Sequence, residues 1–187
     1  MDASQEIDIV FADANDFEIC SALTSAIEDH YGFDTLLKNN SSIPPDRWAI
    51  HSVLGNTGFF ACEGYSRLWS TQTDHHGFAK ALGEIGFPIL SSLVEKAIGI
   101  VPSDILGDYD LVEAHTSSEA ARDKASEHLD TKIIFENPDI QDRLASYIRI
   151  RRASYTDLVE AIDEHVRRGR KYQEAEQAGD GDAEEAV

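Results

Sequence analysis

Glu119, Asp123, Glu127 and Asp130 recur at intervals of four, four and three residues, the spacing that puts side chains on one face of an α-helix. At a rise of ~1.5 Å per residue, their carboxylates stand roughly 6 Å apart along the axis. That interval is close to the phosphate spacing of a nucleic-acid strand, duplex DNA carrying one charge per ~1.7 Å of axis over both strands. A row of carboxylates so placed can stand in for phosphates before a basic protein. Asp157, Glu160 and Glu164 form a second, shorter row. A solvated helix face accounts for either row without any function. Against that reading, like charges at i and i+4 cost helix stability, and the longer row itself holds no base, although Arg122 lies three residues from Glu119.

Other chemistry finds little support. Asp74-His75-His76 contains the one histidine pair, and His30, His51, His115, His128 and His165 are scattered. Adjacent histidines point about 100° apart on a helix, and neither an HExxH pattern nor a cysteine-histidine cluster accompanies them. Capping and surface roles follow, with no metal and no cofactor expected. There is no G-x-S-x-G, no phosphate-binding glycine loop and no cysteine beside a recognisable base. The chain is therefore expected not to be an enzyme; a hydrolase using Asp and His side chains ranks behind two binding readings. Arg149, Arg151, Arg152, Arg167, Arg168, Arg170 and Lys171 form a basic counterweight. They are expected to pair with the protein's own acids or with the second subunit of a homodimer rather than with nucleic acid.

The chain has 187 residues with 35 acidic and 16 basic side chains, a net charge of -19. Such a surface repels phosphate backbones and attracts a basic partner, with an association rate that falls as salt rises. The charge is uneven. Residues 47–100 carry four acids and four bases, residues 1–46 ten acids and one base, and residues 101–146 eleven acids and four bases. Cys20 and Cys62 lie in apolar helical patterns and read as buried, reduced thiols. The opening MDASQEIDIV lacks the basic and apolar segments of a signal peptide, and no run of eighteen apolar residues occurs. A cytoplasmic protein without a membrane span is expected.

The elements that position these groups follow from periodicity. Phe78, Leu82, Ile85, Ile89 and Leu93 share helical spacing, broken near Phe87 by Gly86 and Pro88, with Pro88 opening a second helix that Gly99 ends. Residues 2–13 suggest an edge strand or an irregular lead-in. Phe17, Cys20, Leu23, Ile27 and Tyr31 predict a helix capped by Asn15 or Asp16 and stopped by Gly32. The segment 38–46 is a loop in which Asp46 caps the next helix, and Gly55-Asn56 with Gly58 predicts a tight turn before a helix ending near Trp69. Helices follow from Ser118 to about Leu129, from Pro138 through Ile148, and from Thr156 to about Gln177. The whole reads as an all-α, single-domain multi-helix bundle of about eight helices, with residues 46–100 at its centre. Its parts are an acidic N-terminal helical extension (1–45), a helical core (46–153), a C-terminal helix (154–178) and a disordered acidic tail (179–187).

Asn56-Thr57-Gly58-Phe59-Phe60, followed by Ala79, Ala81-Leu82, Ile85-Gly86 and Leu90, resembles the Asn-Gly-Gly-Phe motif region of the bacterial DNA-mimic protein domain family. Leu129-Asp130 and Leu144-Ala145-Ser146-Tyr147-Ile148 look like that family's carboxy-terminal part. Thr57 stands where the family usually has its second glycine. The likeness covers roughly residues 46–150 and rests on structural residues: Asn56, Gly58, Phe59 and Gly86. It implies an all-helical domain and, in at least one kind of member, an acidic surface that occupies the DNA site of a regulatory protein. The expected function is thus a non-enzymatic DNA mimic that binds a basic, DNA-binding protein through Glu119, Asp123, Glu127, Asp130, Asp157, Glu160 and Glu164. The alternative is an immunity or antitoxin protein that neutralises a basic toxin such as a nuclease.

Overall fold

Asp2 accepts a hydrogen bond from the Gln5 amide at 2.9 Å and so caps α1, Ala3–Asp13. The computed structural model describes residues 2–37, 42–63, 65–117 and 139–181, with the side chains of 57–67 and 177–181 left aside. The N-terminal segment is therefore a helix rather than a strand or an irregular lead-in. Its buried residues Ile7, Val10 and Phe11 fall at helical spacing, and Asp8 lies on the opposite, exposed side.

Next comes α2, Asp16–Tyr31, opened by a reciprocal cap in which the Glu18 amide donates to Asn15 Oδ1 and the Asn15 amide donates to Glu18 Oε2, both at 2.9 Å. Asn15, not Asp16, is the cap, and Gly32 at φ 80° follows the helix. Phe17 is 58% exposed, so the apolar face runs through Ile19 and Leu23 instead. The remaining elements are α3 (Phe33–Leu37), α4 (Pro45–Glu63), α5 (Tyr65–Ser70), α6 (His75–Ile85), α7 (Pro88–Ile98), α8 (Tyr109–Thr116), α9 (Asp139–Ile150), a 3-10 turn (Arg152–Leu158) and α10 (Val159–Gly181). Among the described residues there are ten α-helices and no strand, so the fold is all-α and multi-helical.

Two compact units divide the chain: residues 1–27 with 145–187, and residues 28–144. These boundaries fall within α2 and α9. In the first unit α1 packs against the 3-10 turn and α10, burying Ile7, Phe11, Ile148, Tyr155, Leu158 and Ile162. That last helical region begins as a 3-10 segment at Arg152 rather than as an α-helix at Thr156, and α10 extends to Gly181, into the stretch read as a tail. Residues 182–187 lie outside the described residues.

In the second unit α6 and α7 form a hairpin on α4. Gly86 takes φ 109° as the left-handed cap of α6, and Pro88 opens α7, as the sequence predicted. Because the break resets the helical phase, Ile89 does not continue the face of α6 and is 78% exposed, while Leu90 and Val94 are buried. Gly77 sits so close to Trp48 that an added Cβ would stand 2.6 Å from the indole. One expectation fails at the motif: α4 runs unbroken through Gly55, Asn56 and Gly58, with no turn there. Neither Gly55 nor Gly58 is among the positive-φ glycines, and Asn56 Nδ2 donates back to Ser52 O at 2.7 Å, one helical turn earlier. Pro44 precedes that helix and its carbonyl accepts from the Arg47 and Trp48 amides, which puts Asp46 in the first turn rather than at the cap.

Candidate functional site

The long carboxylate row, Glu119, Asp123, Glu127 and Asp130, lies outside the described residues, as does the helix expected from Ser118 to Leu129. The shorter row does not form a bare acidic stripe. Asp157 sits on the 3-10 turn, where three residues rather than 3.6 complete a turn, and Glu160 and Glu164 lie on α10. Both glutamates border a groove that also contains Arg167, Arg168 and Lys171. Arg168 Nη2 donates to Glu164 Oε1 at 2.6 Å, and Arg167 pairs with Asp163 at 2.6 Å. Mixed charge of this kind is a poor copy of a phosphate strand.

The basic counterweight binds the protein's own acids. Arg170 on α10 forks onto Glu18, Nε donating to Oε1 at 2.7 Å and Nη2 to Oε2 at 2.9 Å, while Nη1 donates to Asp13 Oδ2 at 2.7 Å. This guanidinium holds the Glu18 carboxyl below its ordinary value despite partial burial. Arg149 on α9 donates to Asp16 Oδ1, Phe11 O and Ala14 O, and Arg170 also donates to Asp13 O. These carbonyls belong to the C-terminal end of α1, which has no basic residue in its own last turn. Arg152 binds Asp8, and Arg151 lies 3.8 Å over the Tyr147 ring. Pattern reading could name Arg149, Arg152 and Arg170 but not their partners, which lie 133 to 157 residues away in the chain.

A different group of acids is gathered in the second unit. Asp34, Asp74, Asp108 and Asp110 line an open basin of about 1070 Å³, together with Gln72, His75, His76 and Tyr109. No lysine or arginine is among the described residues lining it. Two of the acids are held by their own helices: Asp74 Oδ1 accepts from the Gly77 amide at 2.8 Å, and Asp108 Oδ1 from the Leu111 amide at 3.1 Å. Asp34 and Asp110 lie in the first turns of α3 and α8. Tyr109 and Leu111 on α8 are 60% and 50% exposed, adding apolar surface beside the charge.

Histidines around the basin are structural in their contacts. His75 is buried and its Nε2–H donates to Leu68 O at 2.7 Å; burial keeps its pKa below the ordinary value. His76 is exposed and meets Glu95 at 2.9 Å. Among the described residues no three His, Cys, Asp or Glu side chains stand together as a metal site requires. Cys20 is buried, and the Cys62 side chain lies outside the described ones. No described helix is long and apolar enough to cross a membrane.

Behind the basin lies a smaller cavity of about 290 Å³ between α3, α4 and residues 70–73. The two share Leu37, Gln72 and Thr73 in their linings. Trp48 Nε1 donates to Leu36 O at 2.9 Å and so fixes α3 against α4. His51 Nε2 meets Glu28 Oε1 at 3.1 Å, yet burial outweighs that carboxylate and lowers the imidazole pKa. No known protein family, curated protein or solved structure matches the chain.

Proposed function

We propose that this protein is a non-enzymatic acidic binding protein that occupies the nucleic-acid site of a basic, DNA-binding protein. The observation that carries the reading is the basin of Asp34, Asp74, Asp108 and Asp110, lined among the described residues by neither lysine nor arginine, in a chain of net charge -19. Charge of one sign in a concave wall concentrates field lines and steers an oppositely charged partner. Tyr109 and Leu111 supply the apolar contact that a stable interface needs beside charge. The likeness of the region around Asn56 to the DNA-mimic family points to the same class of partner.

Pull-down from bacterial cytosol at low salt, followed by competition with duplex DNA, tests it. A captured transcription regulator or nucleoid protein that duplex DNA displaces supports mimicry. A captured nuclease supports the immunity reading instead, and capture that duplex DNA leaves untouched removes the mimic. Replacing Asp34, Asp108 and Asp110 together by asparagine should weaken the complex at least ~10-fold and flatten its salt dependence.

A further inference from the structure

We propose that the cavity behind the acidic basin is a binding site for a small organic amine, whose apolar body lies against Trp48 and Phe33 and whose ammonium group faces the basin. The inner wall comes from one side of α4, where Trp48, His51, Ser52 and Asn56 are all buried. Its volume of about 290 Å³ is close to the lower end of small-molecule sites.

Gly55 is the second sign that the space is kept open. It stands in mid-helix without a positive φ, and among the described residues a Cβ built on it meets nothing nearer than His51 Cε1 at 4.0 Å. Backbone geometry and packing thus both permit alanine, which would favour the helix by up to ~1 kcal/mol. What glycine provides here is volume inside the cavity.

The electrostatics choose the occupant. Among the described residues no lysine or arginine lines the cavity or the basin, so none of these opposes an ammonium group, and burial lowers the pKa of His51. Asp34 and Asp74 line the basin and adjoin Phe33 and Thr73 of the cavity lining in sequence, so a cation on the basin side gains from them, and its apolar body from the indole and phenyl faces. An anion meets four carboxylates, and a neutral ligand gains nothing from them. Ser52, Asn56, Ser70, Thr71, Gln72 and Thr73 place hydroxyl and amide groups beside the aromatic and aliphatic side chains of the lining. This site is independent of the partner reading, because the cavity takes a small molecule whether or not a protein covers the basin.

The test is titration of the ¹⁵N-labelled full chain with phenethylamine and with 2-phenylethanol, which has the same body and no charge. Phenethylamine should shift the amides of α3, α4 and residues 70–73 with a dissociation constant of about 1 mM or below. The alcohol should bind at least ~5-fold more weakly, and Asp34→Asn should narrow that gap. Gly55→Leu should fold and lose at least ~10-fold in amine affinity by filling the cavity. Should that variant not fold, Gly55→Ala should fold at least as well as the parent and weaken the amine about 3-fold. Equal affinity for amine and alcohol, shifts confined to other helices, or undiminished binding in a folded Gly55 variant would each overturn the proposal.

Discussion

Asp8, Asp13, Asp16 and Glu18 each meet an arginine of the C-terminal segments, whereas Asp34, Asp108 and Asp110 line a basin to which the described residues bring no lysine or arginine. Both sets belong to an acidic protein, and composition treats them alike. Their physical roles are opposite. In the first unit carboxylates and the last carbonyls of α1 form an ion lock that ties the two ends of the chain together, so these charges are already spent on the fold. In the second unit the described lining of the basin sets no lysine or arginine beside its acids, which makes that wall the one with charge to offer. Net charge therefore overstates the surface available to a basic partner.

The largest expected effect breaks the lock. Arg170→Met keeps the aliphatic stem but strands Glu18, whose side chain is only 11% exposed, and releases Asp13. A charge-assisted, two-pronged bond of this kind is roughly twice as strong as a neutral hydrogen bond. Arg170 is about a third exposed, so screening by water tempers the loss, which should still be the largest among these variants. Urea denaturation at neutral pH, with hydrogen exchange at the amides of α1 as the local readout, measures it. A loss below ~0.5 kcal/mol would make the lock ordinary surface pairing.

Helices were legible because they depend on neighbours three and four residues away. The Gly86-Phe87-Pro88 break, the Gly32 stop and the faces of α2, α6 and α9 follow from that local code. α1 escaped it because eleven residues with three acids offer a thin apolar stripe, completed only when Ile7 and Phe11 meet the C-terminal segments. The supposed turn at Gly55-Asn56 failed for the reverse reason: glycine permits a turn but does not demand one, and packing of Trp48, Ile50 and Val53 keeps α4 straight through. Of the candidate site, the acids of the two stripes were visible and the basin was not. Asp34, Asp74 and Asp108–Asp110 come from three distant stretches, and no spacing rule joins them. Arg149, Arg152 and Arg170, expected to pair either with the protein's own acids or with a second subunit, gave no hint of which acids they meet.

A smaller effect separates the units by pH. His51 and His75 belong to the second unit, and burial lowers both pKa values. A histidine with a lowered folded pKa contributes stability that is full above its ordinary value of 6.5 and is lost as pH falls below it toward the folded value. Glu18, lowered by Arg170, contributes stability that is full above 4.5 and lost as pH falls through its own lower folded value. Between pH 7 and pH 5 the second unit should weaken while the Glu18 contribution of the first holds. Trp48 and Trp69, the two tryptophans, both report on the second unit. Their urea midpoint should fall over this range, and His75→Gln should reduce the fall. A midpoint independent of pH would mean that neither histidine is neutral by burial.

The smallest expected effect is the most discriminating between the two sets of acids. Asp34→Asn with Asp110→Asn relieves repulsion around the basin, but each residue also sits in the first turn of a helix, where a negative charge gains about 0.3–1 kcal/mol from the exposed amides. The two contributions oppose each other, so the double variant should stay within ~0.5 kcal/mol of the parent in urea denaturation. Asp108 is left out because it caps α8 through the Leu111 amide, and any loss there would report the cap rather than the basin. Asp16→Asn is the matched control in the first unit: it keeps the size of the side chain, removes the charge that Arg149 holds at 2.8 Å, and should lose more stability than the basin pair combined. Should the basin pair instead lose more than ~1 kcal/mol, its carboxylates would be structural like those of α1. The partner site would then have to be sought among Glu119, Asp123, Glu127 and Asp130.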